Sequence, residues 1–458
     1  MKLFKYNTYI ILAISMISFQ GIGQETLSLN ESRKLALEYN QRIKIADELI
    51  SESQSNVKFA FTHFLPNLRA EGNYNYLHGI DDISLSGFFL PTANSIEDAK
   101  LGNYTGTSDV YFPGLNIQMG NIDYYSANLI LSQPIYAGGK VRSNYKMAKL
   151  VSQVSVFNRK LKESEVILET DEAYWNLVSL TERVKVAEKY VEMLNQLVTD
   201  LKNAFDLELT TKNELLKAQV QFNQAKLDLF RIKNARILSR MALCQVIGKD
   251  LKSDLIASDT VICVENKNID NNFIQKAMQQ RPEILLLGKQ VEIDKQEEKS
   301  TLADYLPQLG LGASYGYTSR IENLMDSRQS LTVQANLSVP IFHWNERKHR
   351  VAARKFQTKQ RKLKLDRTKD LISLEVQQAY FNLQEAYQQK ELADISMSQA
   401  EENVQITKNS FYEGLANATE MLDAQAFWQQ AHTELIDAKI NFKLKESGFL
   451  KAKGELAN

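Results

Sequence analysis

The chain has 458 residues, 44% of them hydrophobic and 24% charged, a folded-protein balance that excludes a disordered or low-complexity polymer. Lys plus Arg and Asp plus Glu both number 55, so no whole-chain field favours nucleic acid or another polyanion. Its two cysteines, Cys244 and Cys263, allow at most one disulfide, and core filler or a spare thiol is the expected role.

Lys2 and Lys5 precede an apolar run from Tyr9 to Phe19 and then Gly21-Ile22-Gly23, a small-x-small cleavage pattern. Residues 1–23 are therefore read as a cleaved secretory signal, because the run is shorter than the roughly 20 residues needed to span a bilayer. A transmembrane anchor is the competing reading. No cysteine follows closely enough for a processed lipid anchor.

The remainder says one plan twice. FLPNLRAEGNYNY (64–76) matches YLPQLGLGASYGY (305–317), and ALEYNQRI (36–43) matches AMQQRPEI (277–284), at a spacing of 241. Further along the spacing is 206: LSQPIYAGGKVRSNYKMAK (131–149) parallels LSVPIFHWNERKHRVAARK (337–355), and AYWNL (173–177) parallels AYFNL (379–383). The difference is one longer strand-to-strand connection in the first half. The repeats are 24–247 and 271–458, with 248–270 as a linker.

In each repeat a helix precedes two segments that alternate with period 2. Strands are expected at about 67–77, 125–135, 308–318 and 331–341. Leu68, Ala70, Gly72, Tyr74 and Tyr76 share one face against Asn67, Arg69, Glu71, Asn73 and Asn75, and each segment has the length that crosses a bilayer when tilted. Soluble hairpins packed on a core would alternate in the same way. Pro66, Pro134, Pro307 and Pro340 stand at the junctions of strand and helix periodicity, where a fixed φ and a missing donor end one ladder and start another.

Helical hairpins are expected at 140–247 and 345–453. Leu177, Leu180, Val184, Ala187, Val191, Leu194, Val198, Leu201 and Phe205 form an unbroken 4,3 seam. Leu216, Val220, Asn223, Leu227, Phe230, Asn234, Ile237, Met241 and Cys244 repeat the spacing, so the pair is expected to form an antiparallel helical hairpin with two polar seam positions. Four strands cannot close a barrel and an open edge cannot face lipid, so a membrane reading requires several chains. Two copies give eight strands and three give twelve, and a wider lumen favours three.

Together the paired proline junctions, TLSLNESRKLALEYN (26–40), FIQKAMQQRPEI (273–284), EAYWNL, QAYFNL and FYEGLANATEMLDAQ (411–425) resemble the TolC-type outer-membrane efflux proteins over essentially all of the mature chain. The resemblance implies a mainly α protein with membrane β-structure: a homotrimeric, 12-stranded β-barrel in outer-membrane lipid, continuing into a periplasmic α-helical barrel of coiled-coil hairpins, with 248–270 in an equatorial region. It implies a passive exit duct for efflux or type I secretion, served by a periplasmic adaptor (membrane fusion protein) and an inner-membrane transporter of the proton-driven RND or ATP-driven ABC type. The gate would lie at the periplasmic tip, with Gly414 and Phe411 at the turn and Glu420, Asp423 and Glu214 as pore acids, whose rings attract cations. Acids near helix starts also occur simply because they favour the helix dipole. Glu208 stands where the first repeat often carries glycine and Ala416 where some members carry arginine, so the family's salt-bridge latch is not carried over; Lys212 and Lys217 are candidate partners for the acids.

Two features stay outside that reading. The connection 78–124 carries Asp81, Asp82, Glu97, Asp98, Asp109 and Asp123 against Lys100 alone, and 347–369 carries eleven Lys or Arg against one acid. A solvated loop and a charged outer helix face are the expected explanations, with an acidic surface lid the alternative for the first and contact with anionic envelope polymers the alternative for the second. Five scattered histidines, with His343 and His349 six apart, give no zinc spacing, and no phosphate loop or nucleophile elbow appears; no cofactor, metal, nucleic-acid partner or enzyme activity is implied. A secreted coiled-coil scaffold is the competing class.

Overall fold

A computed structural model describes residues 25–79, 81–105, 109–117, 121–259, 272–319 and 326–456. The signal segment, Cys263 and the second part of the linker (260–270) lie outside the described residues. Two compact units cut across the sequence repeats: one takes Met1–Ser55, Lys149–Ile293 and Gln357–Asn458, the other Asn56–Ala148 and Asp294–Phe356.

In chain order the first repeat runs β1 (Glu25–Leu27), α1 (Leu29–Tyr39), α2 (Gln41–Thr62), β2 (Asn67–Leu77), β3 (Ile83–Leu85), β4 (Phe88–Leu90), α3 (Ile96–Lys100), β5 (Val110–Phe112), β6 (Leu115–Ile117), β7 (Ile122–Ala137), α4 (Lys140–Asp206) and α5 (Lys212–Ile247). After β8 (Leu255–Ala257) the second gives α6 (Phe273–Gln280), α7 (Pro282–Ala303), β9 (Gln308–Thr318), β10 (Arg328–Ser338), α8 (Glu346–Tyr412) and α9 (Ala418–Lys453).

The sheet unit holds one four-stranded antiparallel sheet in the order β10-β9-β7-β2, so the two repeats join at β7 and β9 while β2 and β10 are edges. The register stacks Ala70 on Leu129, Leu129 on Tyr315 and Tyr315 on Leu331 across all four strands. That apolar face is uncovered: Leu68, Tyr74, Leu129, Leu331 and Val333 are 50–74% exposed. Two strand ends differ from the sequence expectation. β10 spans Arg328–Ser338 rather than 331–341, because its ladder matches β9 from Arg328↔Thr318 to Ser338↔Gln308 and Pro340 offers no N–H to extend it. β7 is longer than 125–135, running Ile122–Ala137, because it pairs on both sides and passes Pro134 by a register shift between Pro134 and Tyr136. The long connection is a narrow arm of two short ladders, β3 with β6 and β4 with β5.

In the helical unit the two repeats build matching polar anchors. The chain breaks at Asn40 between α1 and α2, and the Asn40 amide donates to the Val246 carbonyl at 3.0 Å. At the corresponding break Arg281 donates to the Ala452 carbonyl at 3.1 Å and binds Glu283 and Glu375. α5 and α9 both end on a left-handed glycine, Gly248 (φ 73) and Gly454 (φ 79), which satisfies the last carbonyls. Tyr174, Trp175, Leu177 and Val178 on α4 pack with Leu27, Ala36, Leu243 and Ile247, and each buried large side chain contributes about 2 kcal/mol. Phe273, Tyr380 and Phe449 hold the equivalent place in the second repeat. Asp171, fully buried, accepts from Arg33 Nε and Nη2, each at 2.6 Å.

The α4 seam is covered as expected, with Leu177, Val184, Ala187, Leu194 and Leu201 buried. The α5 seam is not. Leu216, Val220, Leu227, Phe230 and Ile237 are 45–69% exposed, and α5 instead buries Leu215, Ala218, Ala225, Ser239 and Leu243. Small residues allow close helix approach, so α5 turns its alanine face inward and leaves its bulky stripe uncovered.

Candidate functional site

The sequence-selected residues cluster at the turns that close the two helical hairpins. α4 ends at Asp206 and α8 at Tyr412, and both terminate through the same hydrogen bonds. Leu209 N–H donates to the Ala204 carbonyl at 2.8 Å and Glu208 N–H to Phe205; Leu415 N–H donates to Ser410 at 2.8 Å and Gly414 N–H to Phe411. Each is the six-to-one plus reverse bond of a left-handed helix terminus. Gly414 has φ 74 and Glu208 has φ 61, so the glutamate adopts the glycine conformation at the matching position.

The next helices begin with side-chain caps. The Asn417 side chain accepts from Glu420 N–H at 2.9 Å, while the Glu420 carboxylate accepts from Asn417 N–H at 2.9 Å. In the first repeat Thr211 accepts from Glu214 N–H at 3.3 Å, and Thr210 Oγ1 donates to Glu214 Oε2 at 2.5 Å. Glu420 and Glu214 are therefore the third-position acids of two helix starts, each held against its own turn. Asp423 is exposed and shares a groove of 490 Å³ with Asn213, Leu216, Lys217 and Val220. Among the described residues of the single chain, Lys217 and Lys212 form no ion pair with an acid. Their exposed ammonium groups keep their hydration, and a surface pair yields too little to hold two long side chains in one geometry.

Beneath the turns Leu197, Leu201, Leu215, Ala218, Ala418 and Met421 form an apolar plug, with Phe411 and Phe205 packed on it. Leu207, Leu209 and Leu415 project from the turns, 69–77% exposed. Sequence reasoning missed the polar bond between the hairpins: Tyr412 Oη donates to Asp200 Oδ2 at 2.9 Å. Burial and this carboxylate push the Tyr412 pKa up, so the phenol remains a donor at neutral pH. The two residues are 212 apart, and no local spacing could have paired them. The four junction prolines lie in the other unit, at Pro66 and Pro307 just before β2 and β9, inside β7 at Pro134 and just beyond β10 at Pro340.

Between the hairpins a groove of 370 Å³ is lined by Lys189, Glu401, Trp428, His432 and Lys439. His432 stacks edge-on against Trp428 with ring centroids 4.3 Å apart, and its Nε2 lies 3.6 Å from Glu401. Burial lowers the His432 pKa, only partly opposed by Glu401.

Comparison with known proteins identifies this architecture. The sequence model of the family described as "Outer membrane efflux protein" matches residues 33–249 and 273–454. Among curated relatives, the alkaline protease secretion protein AprF of Pseudomonas aeruginosa is 22% identical over 70% of this chain and 67% of its own length. Protein CyaE of Bordetella pertussis is 20% identical over 54% of this chain, which spans about half (53%) of that relative. The solved outer membrane channel CmeC of Campylobacter jejuni superposes with a TM-score of 0.73 at 20% identity, covering 93% of this chain and 86% of the channel. Channel proteins of this kind are not enzymes. The chain belongs to the outer membrane efflux protein family, and is an outer-membrane channel protein of TolC type with a large periplasmic helical part.

Proposed function

We propose that three copies pool their sheets into a twelve-stranded barrel and their hairpins into one helical conduit, forming the passive exit duct of an efflux or secretion system. The observation that carries this is the sheet itself, with two unpaired edges, β2 and β10, and a continuous uncovered apolar face. Such a sheet is tolerated in lipid only when closed by further strands. The exposed α5 stripe supports the same assembly, because it offers a ready helix–helix seam to a neighbouring copy.

The duct is closed at the helical turns. Glu420, Asp423 and Glu214 would form carboxylate rings around a three-fold axis and favour cations, while Tyr412–Asp200 ties one hairpin to the other. The exposed leucines at the turns suit an adaptor from the periplasm, and an inner-membrane transporter of RND or ABC type supplies the energy. Small molecules or peptides are the cargo; a relative named for alkaline protease secretion keeps an exported polypeptide in that range.

Planar-bilayer conductance of the purified protein tests this, with cross-linking on the same sample to count subunits. Trimers whose cation selectivity falls in the Glu420→Gln, Asp423→Asn double variant support duct and gate together. Trimers with unchanged selectivity retain the duct and remove the acids from it. A detergent-independent soluble protein without currents returns the coiled-coil scaffold.

A further inference from the structure

The strand-to-helix turn after β10 repeats the one after β7, but with opposite chemistry. After β7 the chain turns through Gly138 (φ 60) and Gly139 (φ 86); at the matching positions after β10 stand Trp344 (φ 43) and Asn345 (φ 64). Glycine enters the left-handed region freely, whereas tryptophan there is a genuine outlier that costs stability. At Gly138 a Cβ would lie 2.6 Å from the Ala303 carbonyl oxygen, so only glycine fits that copy of the turn. The second copy has room, and uses it to hold a large side chain in open space.

Trp344 is 85% exposed, Ile341 92% and Phe342 67%. Phe342 and Trp344 pack edge-to-face with centroids 4.9 Å apart, which makes one apolar hook directly beyond the end of the membrane-type strand. Of the exposed cations that follow it, Arg347, Lys348 and Lys355 are without an ion-pair partner among the described residues. Lys348 and Lys355 are one heptad apart and share a helix face, with a rise of roughly 10 Å between them. Arg347 and Lys348 occupy the first turn of α8, where positive charge opposes the helix dipole, so helix stability does not account for them. Arg350 differs, being bound to Glu346 and Tyr305.

Exposed tryptophan and phenylalanine at a strand end are favoured at the headgroup level of a bilayer, and nearby cations attract anionic lipid. We propose that Ile341, Phe342 and Trp344 enter the periplasm-facing leaflet and that Arg347, Lys348 and Lys355 enrich anionic phospholipid around the duct. The inference rests on the reading that the sheet spans the outer membrane. A lipid leaflet is favoured over an anionic polymer because the cations follow directly on an apolar hook, which a hydrated polymer does not reward.

The chain offers its own probe. Of its three tryptophans, Trp175 and Trp428 are buried and only Trp344 is exposed. The full-length protein is reconstituted into phosphatidylcholine vesicles containing phosphatidylglycerol, one lipid or the other carrying bromine near the glycerol end of its acyl chains. Trp344 emission is expected to be quenched by brominated lipid, and more by brominated phosphatidylglycerol than by its neutral counterpart at equal mole fraction. Trp344→Phe should abolish the quenching. The Arg347→Gln, Lys348→Gln, Lys355→Gln variant should keep it but lose the anionic preference, by roughly fivefold per charge removed.

Vesicle-bound protein whose Trp344 is quenched by neither lipid overturns the inference while leaving the membrane-spanning sheet in place, and marks Trp344 as buried against another copy. Equal quenching by both lipids in the unmodified protein also overturns it. So does a triple variant with unchanged lipid preference and lost binding to isolated peptidoglycan, which assigns the cations to a polymer. Failure of the protein to float with vesicles at all removes the membrane reading and the inference together.

Discussion

At the scale of single residues, the hairpin turns show how one backbone solution accepts two side chains at unequal cost. Glu208 sits in the left-handed well that Gly414 fills in the second repeat. Glu208→Gly should therefore stabilise the protein by about 1 kcal/mol, and Gly414→Ala should destabilise it by a similar amount. Denaturant midpoints of the two variants in detergent check both signs. A buried ion pair predicts a larger loss. Asp171→Asn leaves the Arg33 guanidinium half-satisfied against a fully buried site and should cost about 3 kcal/mol, read from the same curves.

His432 adds a pH dependence whose sign is fixed by burial. Its pKa is lowered below 6.5 in the folded state, so the unfolded chain binds the proton more readily just below that value. The contribution of His432 is present at neutral pH and is lost as pH falls through 6.5. The unfolding midpoint should drop between neutral and mildly acidic buffer, and His432→Gln should flatten that drop.

At the scale of elements, the strands and the α4 hairpin arm were legible because period 2 and the 4,3 seam are backbone periodicities written directly in the side chains. The burial of α5 was not. Its sequence carries a bulky apolar stripe and, one residue away, a stripe of leucines and alanines; spacing cannot say which one a neighbouring helix takes. The structure buries the second. Ala218→Leu should thus overpack the hairpin and cost about 1–3 kcal/mol, whereas Val220→Asn and Phe230→Asn should leave the chain folded and weaken its self-association. Sedimentation in detergent separates the two effects. Of the candidate site, the cap acids and the turn were legible from local order, and the Tyr412–Asp200 bond was not, because it joins helices from different repeats. If that bond holds the turns closed, Tyr412→Phe should raise single-channel open probability without lowering thermal stability by more than about 1 kcal/mol.

At the scale of the whole molecule, the repeat reconciles a polar-faced sheet and long helices within one chain. The passages from β7 and β10 into the long helices both turn through left-handed residues, Gly138–Gly139 in one and Trp344–Asn345 in the other. The uncovered apolar face sets the environment the sheet requires. Val333→Arg, on that face of the edge strand β10, should cost about 2–4 kcal/mol if the position lies at bilayer depth and almost nothing in water. Folded fractions in vesicles and in mild detergent make that comparison.

The two free edges also have a kinetic meaning. Among the described residues nothing pairs with the outer edges of β2 and β10, and lipid cannot saturate them. In the proposed assembly insertion waits for encounters among chains, so its rate should climb more steeply than in proportion to their concentration. Until those encounters occur the edges are templates for any other strand, and the time a cell leaves them waiting becomes the interval in which such a chain is most exposed to misassembly.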